Sequence, residues 1–364
     1  MTLDRTKANQ GEGTLLDIDD TSLYNYPVRE KGPEIKEINS SLFKYPKTIK
    51  THKGQKTKDI TVIHAGGKYP VFIDWISLTF PCEDVDHKGA IDDHLRGMAL
   101  EAAEFDKHLY KDDYSYLARD YRKNYYYWTP AKNLIEINYD PKNPKLNFLR
   151  LRFNPNSLAK ANETGYLTGL FLALFSGHEM DWDNVQVSRL DVTLDIPFPR
   201  ELVHVTAKGY RVSKTYNGGD NMLETEYCGG DKSHVQYVIY DKEAERKKKL
   251  GPDYIPTKKK LTRIEVRIRD MSIKEVTEAK PFHKAKIYVL PPHPKMDNFV
   301  VAWLLDSIKV RGATAALAMV TDPKQRKEFK AVLDAYRAEF WKPDTIQEQY
   351  LGELDTLITM LKNQ

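Results

Sequence analysis

The chain has 364 residues, 41% of them apolar and 30% charged, the balance of a soluble globular protein with room for one large or two ordinary domains. No apolar run reaches the roughly 18 to 20 residues that a membrane span needs, and the opening Met1-Thr2-Leu3-Asp4-Arg5 lacks the features of a secretory signal, so the expectation is a cytoplasmic protein. A net charge of +4 identifies no nucleic-acid partner by itself, and the two cysteines, Cys82 and Cys228, suggest neither a disulfide framework nor a zinc module.

In chain order, residues 1–68 are polar and uneven, with an acidic patch at Asp17, Asp19 and Asp20 and a basic one from Lys44 to Lys58, and they read as a largely disordered arm. Val71 to Phe80 is rich in β-branched and aromatic residues and stops at Pro81, which predicts a strand. Gly89 to Leu109 has helical spacing, with Ile91, Leu95, Met98, Ala102, Phe105 and Leu109 on one face. Tyr125–Trp128, Leu134–Tyr139 and Leu146–Phe153 predict the short strands of an antiparallel meander, followed by a helix over Asn162–Gly177.

Two later strands alternate cleanly. Along Ser188–Asp195, the side chains of Arg189, Asp191, Thr193 and Asp195 share one face and Leu190, Val192 and Leu194 the other. Thr262–Arg269 likewise separates Ile264, Val266 and Ile268 from Arg263, Glu265, Arg267 and Arg269. Between them, Leu223–Cys228 and His234–Asp241 predict two strands joined by the turn Gly229-Gly230-Asp231-Lys232-Ser233, with Tyr227 just before it. A helical pattern fills the chain from Met296, interrupted at Pro323 and Pro343. The organisation expected is an arm (1–68), a domain over 69–290 and a helical region over 291–364.

Acidic side chains on strands beside arginines can hold a hard divalent cation against a phosphate, since carboxylate oxygens suit Mg²⁺ or Mn²⁺ and guanidinium suits phosphate; Asp191, Asp195 and Glu265 are the candidates. The same pattern describes a solvated strand face whose Arg–carboxylate pairs contribute at most about 1 kcal/mol each. A tyrosine can act as a nucleophile when a neighbouring cation or base favours its phenolate, but with 22 tyrosines in the chain composition singles out none. The basic stretch from Lys242 to Lys249 and on to Lys260 fits either a nucleic-acid contact or a solvated helix and loop. The cluster Tyr125, Tyr126, Tyr127 and Trp128 fits either stacking on unpaired bases or strand core. No GxxxxGKS/T, GxGxxG after a strand, HExxH or GxSxG is present, so nucleotide hydrolysis is not expected.

Six blocks in order, spanning roughly 71 to 275, resemble the Rep_trans family of rolling-circle plasmid replication initiators. Phe72-Ile73-Asp74-Trp75-Ile76-Ser77-Leu78-Thr79-Phe80-Pro81 is similar to that family's opening strand, and Arg189-Leu190-Asp191-Val192-Thr193-Leu194-Asp195 to its RLD-containing strand. Lys208 to Tyr216 looks like the approach to the nucleophile, and Thr225-Glu226-Tyr227-Cys228-Gly229-Gly230-Asp231-Lys232-Ser233 is similar to T-x-Y-x-G-S-x-x-S, with Gly230 where the family has serine. Val238-Ile239-Tyr240-Asp241-Lys242 resembles I-Y-D/E-K, and Arg263-Ile264-Glu265-Val266-Arg267 resembles R-F/I-E-I/V-R.

The resemblance implies an α+β fold, an antiparallel-sheet palm like that of the HUH nickases but without their histidine pair, with flanking helices and a C-terminal helical region. It implies Tyr227 as the catalytic tyrosine, and Lys242 as a catalytic residue that neutralises charge developing on the phosphate together with Arg189, Arg263 and Arg267. It also implies Asp191 and Glu265, with Asp195, as ligands of Mg²⁺ or Mn²⁺, and Arg189, Arg263, Arg267 and Lys232 on DNA. The implied partner is origin DNA, duplex or cruciform with the nicked strand single-stranded at the site, together with a host helicase and a possible second copy of the chain. Two other readings fit the same residues: a relaxase of a conjugative or integrative element, and a DNA-binding protein that does not cut.

Overall fold

The computed structural model describes residues 69–363 except 83, 105–108, 112–119, 176–177, 179, 211, 219–222, 252–253, 256–259 and 291–298. The expected arm, 1–68, lies outside the described residues.

The elements run β1 (Val71–Phe80), α1 (Val85–Glu104), β2 (Leu109–Lys111), β3 (Tyr121–Trp128), β4 (Leu134–Pro141), β5 (Leu149–Phe153), α2 (Pro155–Lys160) and α3 (Thr164–Phe175). There follow β6 (Gln186–Ile196), β7 (Val203–Ala207), β8 (Ser213–Asn217), β9 (Leu223–Cys228), β10 (Val235–Asp241), α4 (Lys242–Leu250), β11 (Thr262–Ile268), β12 (Met271–Ser272), α5 (Ile273–Glu278), α6 (Pro281–Lys284) and β13 (Ala285–Val289). Four helices end the chain: α7 (Phe299–Arg311), α8 (Ala313–Ala318), α9 (Pro323–Asp334) and α10 (Pro343–Lys362).

One antiparallel sheet dominates, in the order β2-β3-β4-β5-β1-β6-β11-β10-β9-β8, with β12 attached to β6; β7 and β13 form a second, two-stranded sheet. The expected α+β class is therefore correct: a large antiparallel sheet with flanking helices. Its apolar face is continuous across strands because paired residues share a side. Ile76 pairs with Phe153 and Ile264 with Leu194, and these belong to one core with Ile91 and Leu95 of α1, Leu170 and Phe171 of α3, and Tyr350, Leu354 and Leu357 of α10. The helices from 291 onward serve two cores: α10 lies against β1 in this main one, whereas α7, α8 and α9 enclose Leu304, Leu305, Ile308, Leu317 and Leu333 in another.

The expected elements recur with shifted ends. The helix expected over 162–177 is α3, and a short helix that was not expected, α2, precedes it, with Asn162 in a left-handed conformation (φ 57°) between the two. Asn154 begins the first of these, its side chain accepting from the Ser157 N–H at 2.8 Å ahead of Pro155. Pro323 and Pro343 open α9 and α10 as their first residues; proline is suited there since the first-turn N–H has no partner in any case. Tyr125, Tyr126 and Tyr127 are all buried, so the aromatic cluster is strand core. Cys82 and Cys228 are free and buried.

Helix α10 also makes a polar contact with the sheet: Glu353 accepts the backbone N–H of Ile73 at 2.9 Å, where the register of β1 shifts between Ile73 and Trp75. Since Leu354 beside it is 1% exposed, Leu354→Ala is expected to destabilise the chain by about 2 to 5 kcal/mol through lost transfer energy and a cavity, read from the urea midpoint. A loss below about 0.5 kcal/mol, typical of surface positions, would mean that α10 does not dock as described.

Candidate functional site

The candidate residues gather on the polar face of β6, β11, β10 and β9. Pairing sets their places. Asp191 lies opposite Arg267, Thr193 opposite Glu265 and Asp195 opposite Arg263, while Glu265 and Tyr227 both lie opposite Val238 from its two sides. Tyr227 is thus two strands from Glu265, about 10 Å between Cα atoms.

Guanidinium groups bridge that interval. Arg267 donates from Nε to Glu265, and its guanidinium stands over the Tyr227 ring, 5.9 Å from the centroid. Arg189 grips Asp191 with Nε at 3.0 Å from both carboxylate oxygens and Nη2 at 2.6 Å. Tyr240 donates its hydroxyl to Glu265 at 3.2 Å. Tyr227, Arg267, Glu265, Asp191 and Arg189 therefore form one chain of contacts and cross-strand pairs.

A second group lies further along the strands. Arg263 holds Asp195 through Nε at 2.6 Å and Nη2 at 2.9 Å, and Asp74 of β1 through Nη1 at 2.5 Å. Lys242, first residue of α4, pairs with Glu245 and stands over the Tyr240 ring at 5.7 Å. Asp195, Arg263 and Lys242 thus share this second group, with Tyr240 between the two. Lys232 is exposed on the turn after Tyr227.

The expectation of a solvated strand face is overturned by burial. Asp191, Glu265 and Arg263 are 3%, 3% and 4% exposed, because the long side chains of neighbouring strands close over one another. Burial pushes Asp191 up, Arg189 pulls it down and Glu265 pushes it up again, leaving it at about 6. Glu265 feels the same burial, but Arg267 and Arg189 outweigh it and leave it at about 2. Burial also raises Tyr240 well above the ordinary phenol value, with Glu265 adding to the effect, so its hydroxyl keeps the proton it donates.

Thr193, wholly buried on this face between Asp191 and Asp195, has a hydroxyl with no hydrogen-bond partner. Such a group ordinarily finds one. Its oxygen and the carboxylates of Asp191 and Glu265, each held by an arginine, are hard-oxygen groups on this face that could serve Mg²⁺ alongside water and phosphate. Among the described residues no three His, Cys, Asp or Glu side chains gather into a metal-binding group.

The turn after Tyr227 is tightly built. Gly229 has φ 110°, and a Cβ there would meet the Val235 carbonyl at 3.1 Å and the Tyr210 ring at 3.2 Å, so only glycine fits. Gly230 is different: a Cβ would find nothing nearer than Ser233 Oγ at 3.6 Å, leaving room for the serine of the family pattern. Tyr216 of the edge strand β8 meets the Tyr227 ring edge-on at 5.7 Å.

No family model matches the sequence, and no curated protein does. Among solved structures the chain is similar to the rolling circle replication initiator protein from Geobacillus stearothermophilus, at 16% identity and a TM-score of 0.34, covering 77% of this chain and 97% of that one. No helix among the described residues is long and apolar enough to cross a membrane.

Sequence reasoning missed Thr193 as an unpartnered oxygen, Tyr240 as a donor to Glu265 and Asp74 as the second carboxylate on Arg263. Only Asp74 left a signal, a charged residue inside an apolar strand. The two carboxylates should titrate in opposite senses. Asp191 binds its proton more tightly folded (about 6) than unfolded (about 3.9), so its contribution is full below pH 4 and lost as pH rises through 6. Glu265 binds its proton more weakly folded (about 2), so its contribution is present above about pH 4.3 and lost as pH falls toward 2. Between pH 4 and 7 the wild type should lose stability relative to Asp191→Asn, measured by urea melts; a constant difference would contradict the assignment.

Proposed function

We propose that this chain is a rolling-circle replication initiator that nicks one strand of origin DNA through Tyr227 and later rejoins it. The observation that carries the reading is Arg267, which reaches Glu265 and the Tyr227 ring from a position opposite Asp191. The sequence blocks resembling the Rep_trans initiators support it, since Tyr227, Asp191, Asp195 and Glu265, which they nominate for chemistry, fall on one sheet face, with Lys242 at the head of the adjoining helix.

A phenol ordinarily keeps its proton until about pH 10, so a nucleophilic tyrosine needs a cation beside it; Arg267 supplies one. The Tyr227 oxygen attacks the scissile phosphorus in line, forming a P–O bond as the bond to the 3′ oxygen breaks. The products are a 5′-phosphotyrosyl link and a 3′-hydroxyl that takes up a proton and can prime a polymerase. Attack by a later 3′-hydroxyl reverses the step and closes the strand. Arg189 and Arg267, pre-oriented by their carboxylates, counter the charge that develops on the phosphate. Arg263 and Lys242 contribute from the second group, and Lys232 contacts DNA from the turn.

Asp191 and Glu265 would hold Mg²⁺ or Mn²⁺, with the Thr193 hydroxyl as a further oxygen and Asp195 held in reserve by Arg263. Such an ion polarises the phosphoryl oxygens when bound. A non-cutting DNA-binding protein is the rival favoured by a specific observation, the engagement of each carboxylate by an arginine.

Tyr227→Phe is expected to bind an origin oligonucleotide within about fivefold of wild type, as one hydroxyl contact is worth about 1 kcal/mol, but to form no covalent adduct on a denaturing gel. An adduct from that variant would refute the nucleophile. Asp191→Ala and Glu265→Ala should each stay folded, still bind DNA and lose about 10²-fold or more in cleavage; wild-type nicking by both would end the carboxylate assignment.

A further inference from the structure

Two aromatic side chains of β1 are on the polar side of the sheet: Phe72, opposite Thr193, is buried there with Arg263 and Lys160 over its ring, and Trp75 is the other. Ile76, Leu78 and Phe80 point into the main core, whereas Trp75 alternates onto the polar face. There it lies directly opposite Asp191, half-buried and outside the main core. An indole left half-buried beside a row of buried ion pairs goes against the pattern that specifies a sheet, and such breaks mark functional positions.

Its surroundings resemble the neighbourhood of Tyr227. The Arg152 guanidinium stands over the indole at 5.2 Å from the ring and is held by Glu136 at 2.9 Å, as Arg267 stands over Tyr227 and is held by Glu265. Arg152 and Arg189 flank Ser77 from the two neighbouring strands, so cations continue the row past Asp191 toward Trp75. The indole N–H has no hydrogen-bond partner. Trp75 and Tyr227 are four strands apart, about 19 Å.

We infer that Trp75, backed by Arg152, is a stacking platform for an unpaired base of the bound DNA strand, a few nucleotides from the phosphate at Tyr227. Aromatic faces accept any base, and arginines beside them answer the phosphates. The row Arg152, Arg189 and Arg267 suits a polyanion better than an apolar protein partner. This inference rests on the proposed reading for the identity of the strand as DNA.

The test uses the full chain carrying Tyr227→Phe, so that cleavage plays no part, and a single-stranded oligo(dT). Binding should quench tryptophan fluorescence, with Trp128, Trp182, Trp303 and Trp341 as background. Adding Trp75→Phe should remove most of the quench while affinity stays close to that of the parent, because a ring remains. Adding Trp75→Ala should weaken binding about tenfold, within the range found for loss of one stacked base. A full quench in the Trp75→Phe protein, or undiminished affinity in the Trp75→Ala protein, overturns the inference; if the alanine variant does not fold, the phenylalanine result decides. An adduct formed by Tyr227→Phe would sink the assignment of Tyr227 as nucleophile and leave the stacking result standing.

Discussion

Buried charge is the constraint on which this sheet is organised. Taking a carboxylate out of water costs several kcal/mol unless a cation answers it, and the polar face hides Glu136, Asp191 and Glu265. Each is met by an arginine: Arg152, Arg189 and Arg267. In R-x-D and E-x-R strands the partner is two residues away on the same side, so the strands neutralise themselves without help from loops. The pairing also fixes register, because a slip by one residue would drive every one of these charges into the apolar core.

A network of this kind does more than remove a penalty. Guanidinium groups held by carboxylates are oriented before any ligand arrives, which lowers the cost of ordering them later. Their arrangement is also graded. Asp191 and Glu265 sit in nearly the same environment, yet one is raised to about 6 and the other lowered to about 2, since two carboxylates close together cannot ionise with equal ease. The face therefore carries a carboxylate that binds a proton near neutrality beside one that does not.

The sequence was most legible where period-two alternation is strict. Arg189 to Asp195 and Arg263 to Arg269 announced both their strand character and the shared face of their charges, because pleating leaves no other arrangement. The hairpin after Tyr227 was legible from its glycines. Strand neighbours were not: β1 pairs with β6, and β6 with β11, across long stretches of chain, and no local pattern encodes that order. Asp191 and Asp195 were equivalent as sequence, and only the register that places one opposite Arg267 and the other opposite Arg263 separates them. Burial of the face was misread for a similar reason, since charged residues look solvated until their neighbours across the sheet are known.

The contact between Glu353 and Ile73 joins residues 280 positions apart, and it lies at β1, the strand in the middle of the sheet. During synthesis at about 5 to 20 residues per second, the stretch between them takes roughly 15 to 60 seconds to emerge. Until then the part of β1 that α10 covers has no partner, and the Ile73 amide has no carboxylate. The core between β1 and α10 can be closed only after translation has passed α10, through contacts of long sequence separation that close slowly. A nascent chain of this protein therefore leaves the apolar patch of β1 that α10 covers open until α10 is made, the situation in which a chaperone that binds apolar segments would have its longest opportunity.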